Sequence, residues 1–572
     1  MNYKTPGVYV EEQTKFPPSI AQVETAIPAF VGYTAKGPQK PARISSMLEY
    51  ENLFGKANPE DFAVAFKDGV ATATQTSVSD YKMYYAMQMY FANGGGPCYI
   101  VSVGDYTDEV AVGTAEAPKT LSYGLELLKK EDEPTLIVFP DLQSLVNNTD
   151  DVVAATAAKT LADNNKTAAG NAKAAAQAVS EAVTGADAET AGENAFVKAN
   201  TYTVTDAGNL SQVAVRQAAQ AVAAAAQNAA NAVNATVATV KAAAQAVADV
   251  YENYRITATG KADAAKEASD AAALRVSPAS IGESYALYNS ALNQAEFMKD
   301  RFVIMDVLGS EVAFRDKVNA SGLKYGAAYY PKLKTVLSFE FDEAEVLVTG
   351  PFGIKYLTDL KSTSSDLYNQ AKNAITSKQI VMAPSSAMAG VYAKVDSTSG
   401  VFKAPANVGL NYVVAPMEKI SQDKQDDLNV DATAGKSINA IRTFTGKGTM
   451  VWGARTLDGN SNEWRYVSVR RFFNMVEESV KKSTERFVFE PNTANTWVRV
   501  QTMIENFLNQ QWRDGALAGS KPEEAYYVSV GLNKTMSAKD ILEGRMIIEV
   551  GMAAVRPAEF IVLRFSHKLQ EA

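Results

Sequence analysis

The chain has one cysteine, one histidine and no long apolar run among its 572 residues. Because Cys98 has no second cysteine to pair with, no disulfide can form within the chain, and folding needs no oxidising compartment. A single histidine, His567, excludes multi-histidine zinc sites, the HExxH motif and most Ser-His-Asp arrangements. No window approaches the roughly 18 consecutive apolar residues that a membrane-spanning helix needs, so no membrane insertion is expected.

Basic residues are also in the minority. The formal net charge is −9 and the isoelectric point is about 5.1, which argues against direct nucleic-acid binding because that requires a basic face. The first thirty residues contain Glu11 and Glu12 and no long apolar segment, so they do not read as a signal peptide. We therefore expect a soluble protein that is made and assembled in the cytoplasm and leaves it only by lysis or within a larger particle.

Two motifs resemble ligand sites, but each lacks residues that the site requires. Residues 435–437 read Gly-Lys-Ser like the end of a Walker A loop, but Val430 occupies the position of the leading glycine. Residues 458–462 resemble the start of a calcium loop, but Glu463 replaces the required glycine and Val469 replaces the bidentate glutamate. A hydrolase with paired carboxylates is an alternative that no motif supports. We therefore predict no catalytic, metal or cofactor-binding residues and no enzymatic activity.

The N-terminus, residues 1–26, is predicted to be an extended arm. Val8, Tyr9 and Val10 favour extended backbone, and prolines on both sides of them prevent a helix. No neighbouring segment can form a hairpin with this strand. Its backbone must therefore pair elsewhere in the fold or in another molecule.

Residues 27–150 and 276–379 alternate between buried strands and helices, which predicts a partly parallel sheet in an α/β domain. Between them, residues 151–275 are about one third alanine and contain no proline, and apolar side chains recur at helical spacing. This composition predicts an inserted, all-helical hairpin or small bundle on the outer surface. The alternative is a flexible low-complexity insertion.

The segment from Lys403 to Trp497 contains a series of motifs in a characteristic order. They are KAPAN (403–407), VWGARTL (451–457), WRYVSVRR (464–471), FEPN (489–492) and TW (496–497). This series resembles the C-terminal domain of contractile tail sheath proteins. The opening PGVYVEE and the phrase YFANGGGPCYIVSV (90–103) are similar to the same family.

The resemblance implies a structural subunit without cofactors. It would polymerise as stacked hexameric rings around an inner tube protein, bind baseplate and terminal cap proteins, and contract from a metastable extended state to drive the tube through a target membrane. The particle would be a phage tail, a bacteriocin or an extracellular injection system, and the sequence does not distinguish them. The alternative function is a non-contractile lattice protein, of capsid or surface-layer type, that assembles by strand exchange.

The resemblance also assigns the C-terminal part of the chain. Residues 380–545 would form the inner sheath domain and 546–572 a strand arm, with two strands separated by Gly551 and Pro557. Both arms would add strands to the sheets of neighbouring subunits. The residues expected to do so are Val8, Tyr9, Val10, Phe560, Ile561, Val562 and Leu563.

Four arginines lie among aromatic residues in this domain and are candidate contacts with other subunits or with the inner tube: Arg455, Arg470, Arg471 and Arg486. One interpretation gives them ion pairs across a subunit interface or with an acidic patch on the tube. The other gives them carboxylate partners and apolar cover within their own domain. The sequence leaves both open.

Overall fold

The computed structural model describes residues 20–147, 149–205 and 209–560. Most of the predicted arm residues lie outside these ranges, namely Val8, Tyr9, Val10, Ile561, Val562 and Leu563. Among the residues described, none of the helices combines the length and the hydropathy that a bilayer crossing requires.

The described residues form eighteen strands and seventeen α-helices. The strands are β1 (Pro28–Tyr33), β2 (Ala42–Ile44), β3 (Asp61–Lys67), β4 (Val70–Ser77), β5 (Cys98–Gly104), β6 (Leu136–Val138), β7 (Phe302–Asp306), β8 (Gly326–Tyr330), β9 (Leu333–Thr335), β10 (Leu347–Gly350), β11 (Gly353–Tyr356), β12 (Val381–Met382), β13 (Val408–Gly409), β14 (Val413–Pro416), β15 (Ile438–Phe444), β16 (Gly448–Val451), β17 (Tyr526–Val530) and β18 (Ile548–Met552). The helices are α1 (Met47–Phe54), α2 (Met83–Ala92), α3 (Leu121–Leu127), α4 (Thr149–Glu181), α5 (Ala188–Ala199), α6 (Leu210–Ala230), α7 (Val237–Leu274), α8 (Pro278–Met298), α9 (Glu311–Lys317), α10 (Leu357–Thr363), α11 (Ser365–Thr376), α12 (Ser385–Ser399), α13 (Gln422–Asn429), α14 (Val467–Thr484), α15 (Ala494–Arg513), α16 (Pro522–Ala525) and α17 (Ala538–Leu542).

A nine-stranded sheet in the order β13-β16-β15-β8-β7-β6-β1-β5-β2 forms the centre of the subunit. Its six inner strands, from β15 to β5, are mutually parallel. In β7, Phe302 and Ile304 join a core with α2 and α12, whereas Val303 and Met305 join a second core with α3 and α8. Because helices cover both faces, consecutive residues of the inner strands are apolar, as in residues 302–305 of β7. The predicted mixed α/β fold is confirmed.

The helices on one face pack closely because α12 carries a glycine at the contact. A Cβ atom at Gly390 would lie 2.5 Å from the carbonyl oxygen of Tyr90 in α2. A side chain at this position would separate the two helices, so the close approach depends on Gly390.

Two buried aspartates hold the first turns of these same helices. Asp141, just after β6, accepts the backbone N–H groups of Lys82 and Met83 at the start of α2, at 2.5 and 3.0 Å. Asp306, the last residue of β7, accepts the N–H of Ser385 at the start of α12 at 2.8 Å and its hydroxyl at 2.6 Å. Burial raises the pKa of each carboxyl to about 7, although these hydrogen bonds oppose the rise.

This burial predicts a pH dependence of stability near neutrality. The folded state binds protons at Asp141 and Asp306 more tightly than the unfolded state, so the free energy of unfolding should fall as pH rises through 7. We expect a decrease on the order of 4 kcal/mol between about pH 5.5 and 8, about 2 kcal/mol from each carboxyl. Urea unfolding across this range measures it, and Asp306→Asn should flatten the curve. With one histidine in the chain, few other groups titrate in this window. A stability that rises with pH here would contradict the expectation.

A second sheet, in the order β11-β10-β3-β4, supports the alanine-rich insertion. One of its faces packs against α10 and α11, and Leu347 and Ile354 join the alanine-lined core of α4, α6 and α7 on the other side. The predicted helices of the insertion are confirmed. They do not simply project from the body, because this sheet and the bundle share a core. Their position on the outer surface of a particle stays a prediction.

Polar contacts also join the insertion to the rest of the subunit. The Tyr254 hydroxyl donates to Asp359 at 2.9 Å, and an Arg275 guanidinium N–H donates to Asp80 at 2.6 Å. The Arg275 and Asp80 side chains are partly buried there. The insertion is therefore attached along its length and at its base.

The C-terminal part of the chain departs from the predicted layout in two ways. Strands β13, β15 and β16 extend the central sheet, so the first part of the segment predicted as the inner domain, 380–545, shares the α/β core. Strand β18 runs through Gly551, where a break was predicted; a Cβ there would come within 2.1 Å of the ring of Tyr527 on β17. Residues 557–560 form no strand, and the remainder of the predicted second strand lies outside the described residues.

Candidate functional site

The loop that resembles a Walker A end binds a side chain of its own. The Asp431 carboxylate accepts the backbone N–H groups of Thr433, Ala434 and Lys436 at 3.1, 3.1 and 3.3 Å. These are the donors that would otherwise face a phosphate. Within the described ranges, no three His, Cys, Asp or Glu side chains converge closely enough to hold a metal ion. Burial raises the pKa of the Cys98 thiol well above its ordinary value, which leaves it unreactive.

The chain segment from Ile20 to Ile27, here called the N-terminal strap, is where the N-terminal arm joins the body. Ile20 is 8% exposed and belongs to the core of α14 and α15. The backbone N–H of Val23 donates to the Ser479 hydroxyl at 3.1 Å. Ile27 then enters the central sheet domain, where its N–H donates to Thr135. The strap therefore crosses from the C-terminal helices to the central sheet.

Arg471 in α14 fixes this strap. Its guanidinium donates to both oxygens of Asp396 in α12, at 3.0 and 2.5 Å, and to the carbonyl oxygen of Thr25 at 2.9 Å. It also lies over the ring of Tyr392, 4.6 Å from the centroid. The Thr25 hydroxyl donates to Asp396 at 2.6 Å. The side chains of Arg471 and Asp396 are 3% and 6% exposed, so this is a buried ion pair joining three elements.

Glu559 holds the opposite end of the chain. Its carboxylate accepts the Arg455 Nε–H at 2.9 Å and Nη2–H at 2.6 Å, the Asn429 amide at 2.9 Å and the Tyr466 hydroxyl at 3.2 Å. Burial alone would raise the pKa of this carboxyl, but the combined hydrogen bonds and the charge of Arg455 hold it below its ordinary value. The next residue, Phe560, is 71% exposed. Among the described residues, Glu559 is therefore the last side chain that binds the chain to the body.

The other two candidate arginines differ from each other. Arg470 donates to Asn474 and Glu477, each at 2.8 Å, and lies 4.2 Å over the Trp464 ring, with its side chain 3% exposed. Arg486 is exposed, and its guanidinium N–H contacts the Met503 sulfur at 2.7 Å.

The single subunit therefore satisfies Arg455, Arg470 and Arg471 internally, as the second of the two interpretations expected. A contact of these arginines with another subunit or with a tube is a separate role. That role stays a prediction, and the exposure of Arg486 suits it best among the four.

The small sheet of β17 and β18 has only two strands among the described residues. Each strand has a single strand neighbour among the described residues, and the two are paired from Tyr526↔Met552 to Val530↔Ile548. One face packs on α15, with Val528 buried in the same core as Ile20. An exposed edge carries backbone donors and acceptors that a further strand can pair with.

Sequence patterns alone did not identify Asp396, Glu559 or Ile20 as functional residues. Asp396 and Glu559 are solitary acids, distant in sequence from the arginines they bind. Ile20 follows two prolines, and only its burial among helical side chains singles it out. No local signal marks any of the three.

Comparisons with known proteins give one family and several structures. Residues 460–568 match the phage tail sheath C-terminal domain. The whole chain superposes on a chain of the anti-feeding prophage baseplate, 6-fold symmetrised, at 25% identity and a TM-score of 0.53, covering 99% of this chain and 100% of that one.

Two further structures have the same fold. The PVC sheath complex of an extracellular contractile injection system, in the contracted state, gives 24% identity and a TM-score of 0.51, covering 100% of this chain and 99% of that one. The anti-feeding prophage helical sheath in the contracted state gives 24% identity and a TM-score of 0.52, covering 99% of this chain and 100% of that one. No curated protein matches the chain.

Proposed function

We infer that this chain is a subunit of a contractile sheath. The observation that carries the inference is the coincidence of a tail sheath C-terminal domain at 460–568 with a sheath fold over the whole chain. The resemblance found in the sequence motifs is confirmed. A non-contractile lattice protein is not favoured, because the solved structures of this fold are of contractile particles.

We propose that the subunits assemble helically as stacked hexameric rings around an inner tube, with a baseplate at one end and a cap at the other. The similarity to chains of both a helical sheath and a baseplate supports contacts with copies of itself and with a baseplate. Among the three settings, the fold of the PVC and anti-feeding prophage chains supports an extracellular injection system. The particle would act outside the cell in which the chain is made.

The arms supply the connections between subunits in this proposal. The first and last described segments both cross the boundary between the central sheet domain and the C-terminal helices, and side chains of the body bind each of them there. Strands from the arms of neighbouring copies, including Val8–Val10 and Phe560–Leu563, would extend the β17–β18 sheet by main-chain hydrogen bonds. Such pairing persists while whole domains rotate about the arms.

Contraction then requires no bond chemistry. A difference of a few kcal/mol per subunit between two packings, summed over roughly a hundred subunits, gives a large downhill release. The extended state would be set at assembly by the tube and baseplate. We propose accordingly that the chain is not an enzyme and needs no cofactor.

Electron microscopy of the purified chain tests the proposal. We expect the protein expressed alone to form tubes or stacked rings of the contracted type, because contraction is the downhill direction. Co-expression with the tube and baseplate proteins should give longer, extended sheaths. Flat lattices would support the capsid or surface-layer alternative, and stable monomers at high concentration would contradict assembly altogether.

A further inference from the structure

We propose that Glu559 is a positioning residue that fixes where, and in which direction, the C-terminal arm leaves the subunit. This inference rests on the sheath function proposed above. It assigns a role within one chain to Arg455, which the sequence suggested as a contact with other molecules.

The path of the chain before Glu559 is the first part of the argument. After β18 the backbone remains paired with residues 516–518, which follow α15. The Ala518 N–H donates to the Ala553 carbonyl at 2.7 Å, and the Val555 N–H donates to the Ala516 carbonyl at 3.1 Å. The chain then crosses to the central sheet domain, where Arg455, Asn429 and Tyr466 lie. Glu559 is the side chain that ties the crossing segment to that domain.

Arg455, which binds Glu559, is held in place by contacts that do not involve Glu559. The Arg455 backbone N–H donates to the Asn439 side-chain oxygen at 2.8 Å, and its Nη1–H donates to the carbonyl oxygen of Asn429 at 3.1 Å. Its side chain is 5% exposed. The guanidinium is therefore held in place by the sheet domain, and its remaining donors point at the Glu559 carboxylate. A bidentate pair of this kind fixes direction as well as distance.

The position of the pair at the end of the attached chain gives it a consequence for assembly. Phe560 is 71% exposed directly after Glu559. The ion pair between Glu559 and Arg455, here called the anchor, is therefore the last side-chain contact with the body among the described residues. Without the anchor, the free tether would start near Val555 and lengthen by roughly 13 Å at full extension. A longer, less oriented tether lowers the effective concentration of the arm at a neighbouring sheet.

The test uses the full-length chain with Glu559→Gln, which removes the charge and keeps the size. The first measurement places a nitroxide label at Phe560→Cys and records its mobility in unassembled subunits. Cys98 is buried and its thiol pKa is raised, so the label should go to position 560 alone. We expect a clear gain in the mobile component with Glu559→Gln. An unchanged spectrum would overturn the anchor.

The second measurement is the protein concentration at which tubes appear. We expect Glu559→Gln to raise it about tenfold, the size expected for losing charge-assisted hydrogen bonds. Glu559→Asp keeps the charge, so it should form tubes at a concentration closer to that of the unsubstituted chain. This variant also keeps the test decisive where Glu559→Gln folds poorly. Glu463→Gln, at an exposed glutamate in the same region, should change neither measurement.

These two measurements separate the inference from the function on which it rests. If Glu559→Gln makes the label at position 560 more mobile but tubes appear at the same protein concentration, the ion pair holds the chain without positioning the arm. That result would overturn the proposal. A freed label in a protein whose parent forms no tubes would contradict the sheath function while leaving the anchor intact. A melting temperature that falls in step with tube formation for both variants at position 559 would reduce the role to stability and also overturn positioning.

Discussion

Removing residues 1–19 is expected to leave a folded subunit that no longer forms tubes. The deletion should stop before Ile20, because Ile20 is buried in the core of α14 and α15 and the Val23 and Thr25 backbones are hydrogen-bonded to the body. The lost segment contains Val8–Val10, whose backbone pairing we assign to a neighbouring copy. Circular dichroism and thermal unfolding should match the full chain, while electron microscopy should show no tubes.

A longer deletion provides the matched control for folding. Removing residues 1–25 takes away Ile20 and the Thr25 carbonyl that Arg471 binds, so this variant should be destabilised as well as unable to assemble. The comparison separates the arm from its root. Normal tubes from the chain that begins at Ile20 would contradict the assignment of the arm to neighbouring subunits.

Replacing Arg471 by alanine is expected to lower the free energy of unfolding by roughly 3–5 kcal/mol. The substitution leaves the Asp396 carboxylate buried without its ion-pair partner and removes the bond to the Thr25 carbonyl. It also exposes one face of the Tyr392 ring. Urea unfolding of the unassembled subunit measures the loss.

Arg486→Ala is the comparison for this result. Arg486 is exposed and has no carboxylate partner among the described ion pairs, so its substitution should change stability by less than about 0.5 kcal/mol. An unchanged stability for Arg471→Ala would show that the buried pair does not hold the strap. A large loss for Arg486→Ala would reverse the distinction drawn between the two.

The sequence predicts most of the local structure, for identifiable reasons. In β7, residues 302–305 are all apolar because both faces of the strand are buried, and this composition marks it as a buried strand. The helices α1 and α2 are recognisable because glycines follow their last turns. The alanine-rich segment is helical because alanine has the highest helix propensity and proline is missing.

The arrangement of these elements is less predictable, because it depends on contacts between distant parts of the chain. The small sheet combines β3 and β4 with β10, which lies nearly three hundred residues later, and no local pattern specifies that pairing. Gly551 was predicted to break the strand, but it lies within β18, where the absence of a side chain makes room for the ring of Tyr527. Asp396 and Glu559 are recognised as arginine partners only once the fold brings them together.

A helical reconstruction of the assembled particle, at a resolution that traces the main chain, tests the central claim most directly. We expect the segments before Ile20 and after Glu559 to pair as strands with sheets of adjacent copies, and β17–β18 to be among the sheets that receive them. A map in which both segments fold back onto the subunit they belong to would contradict the account.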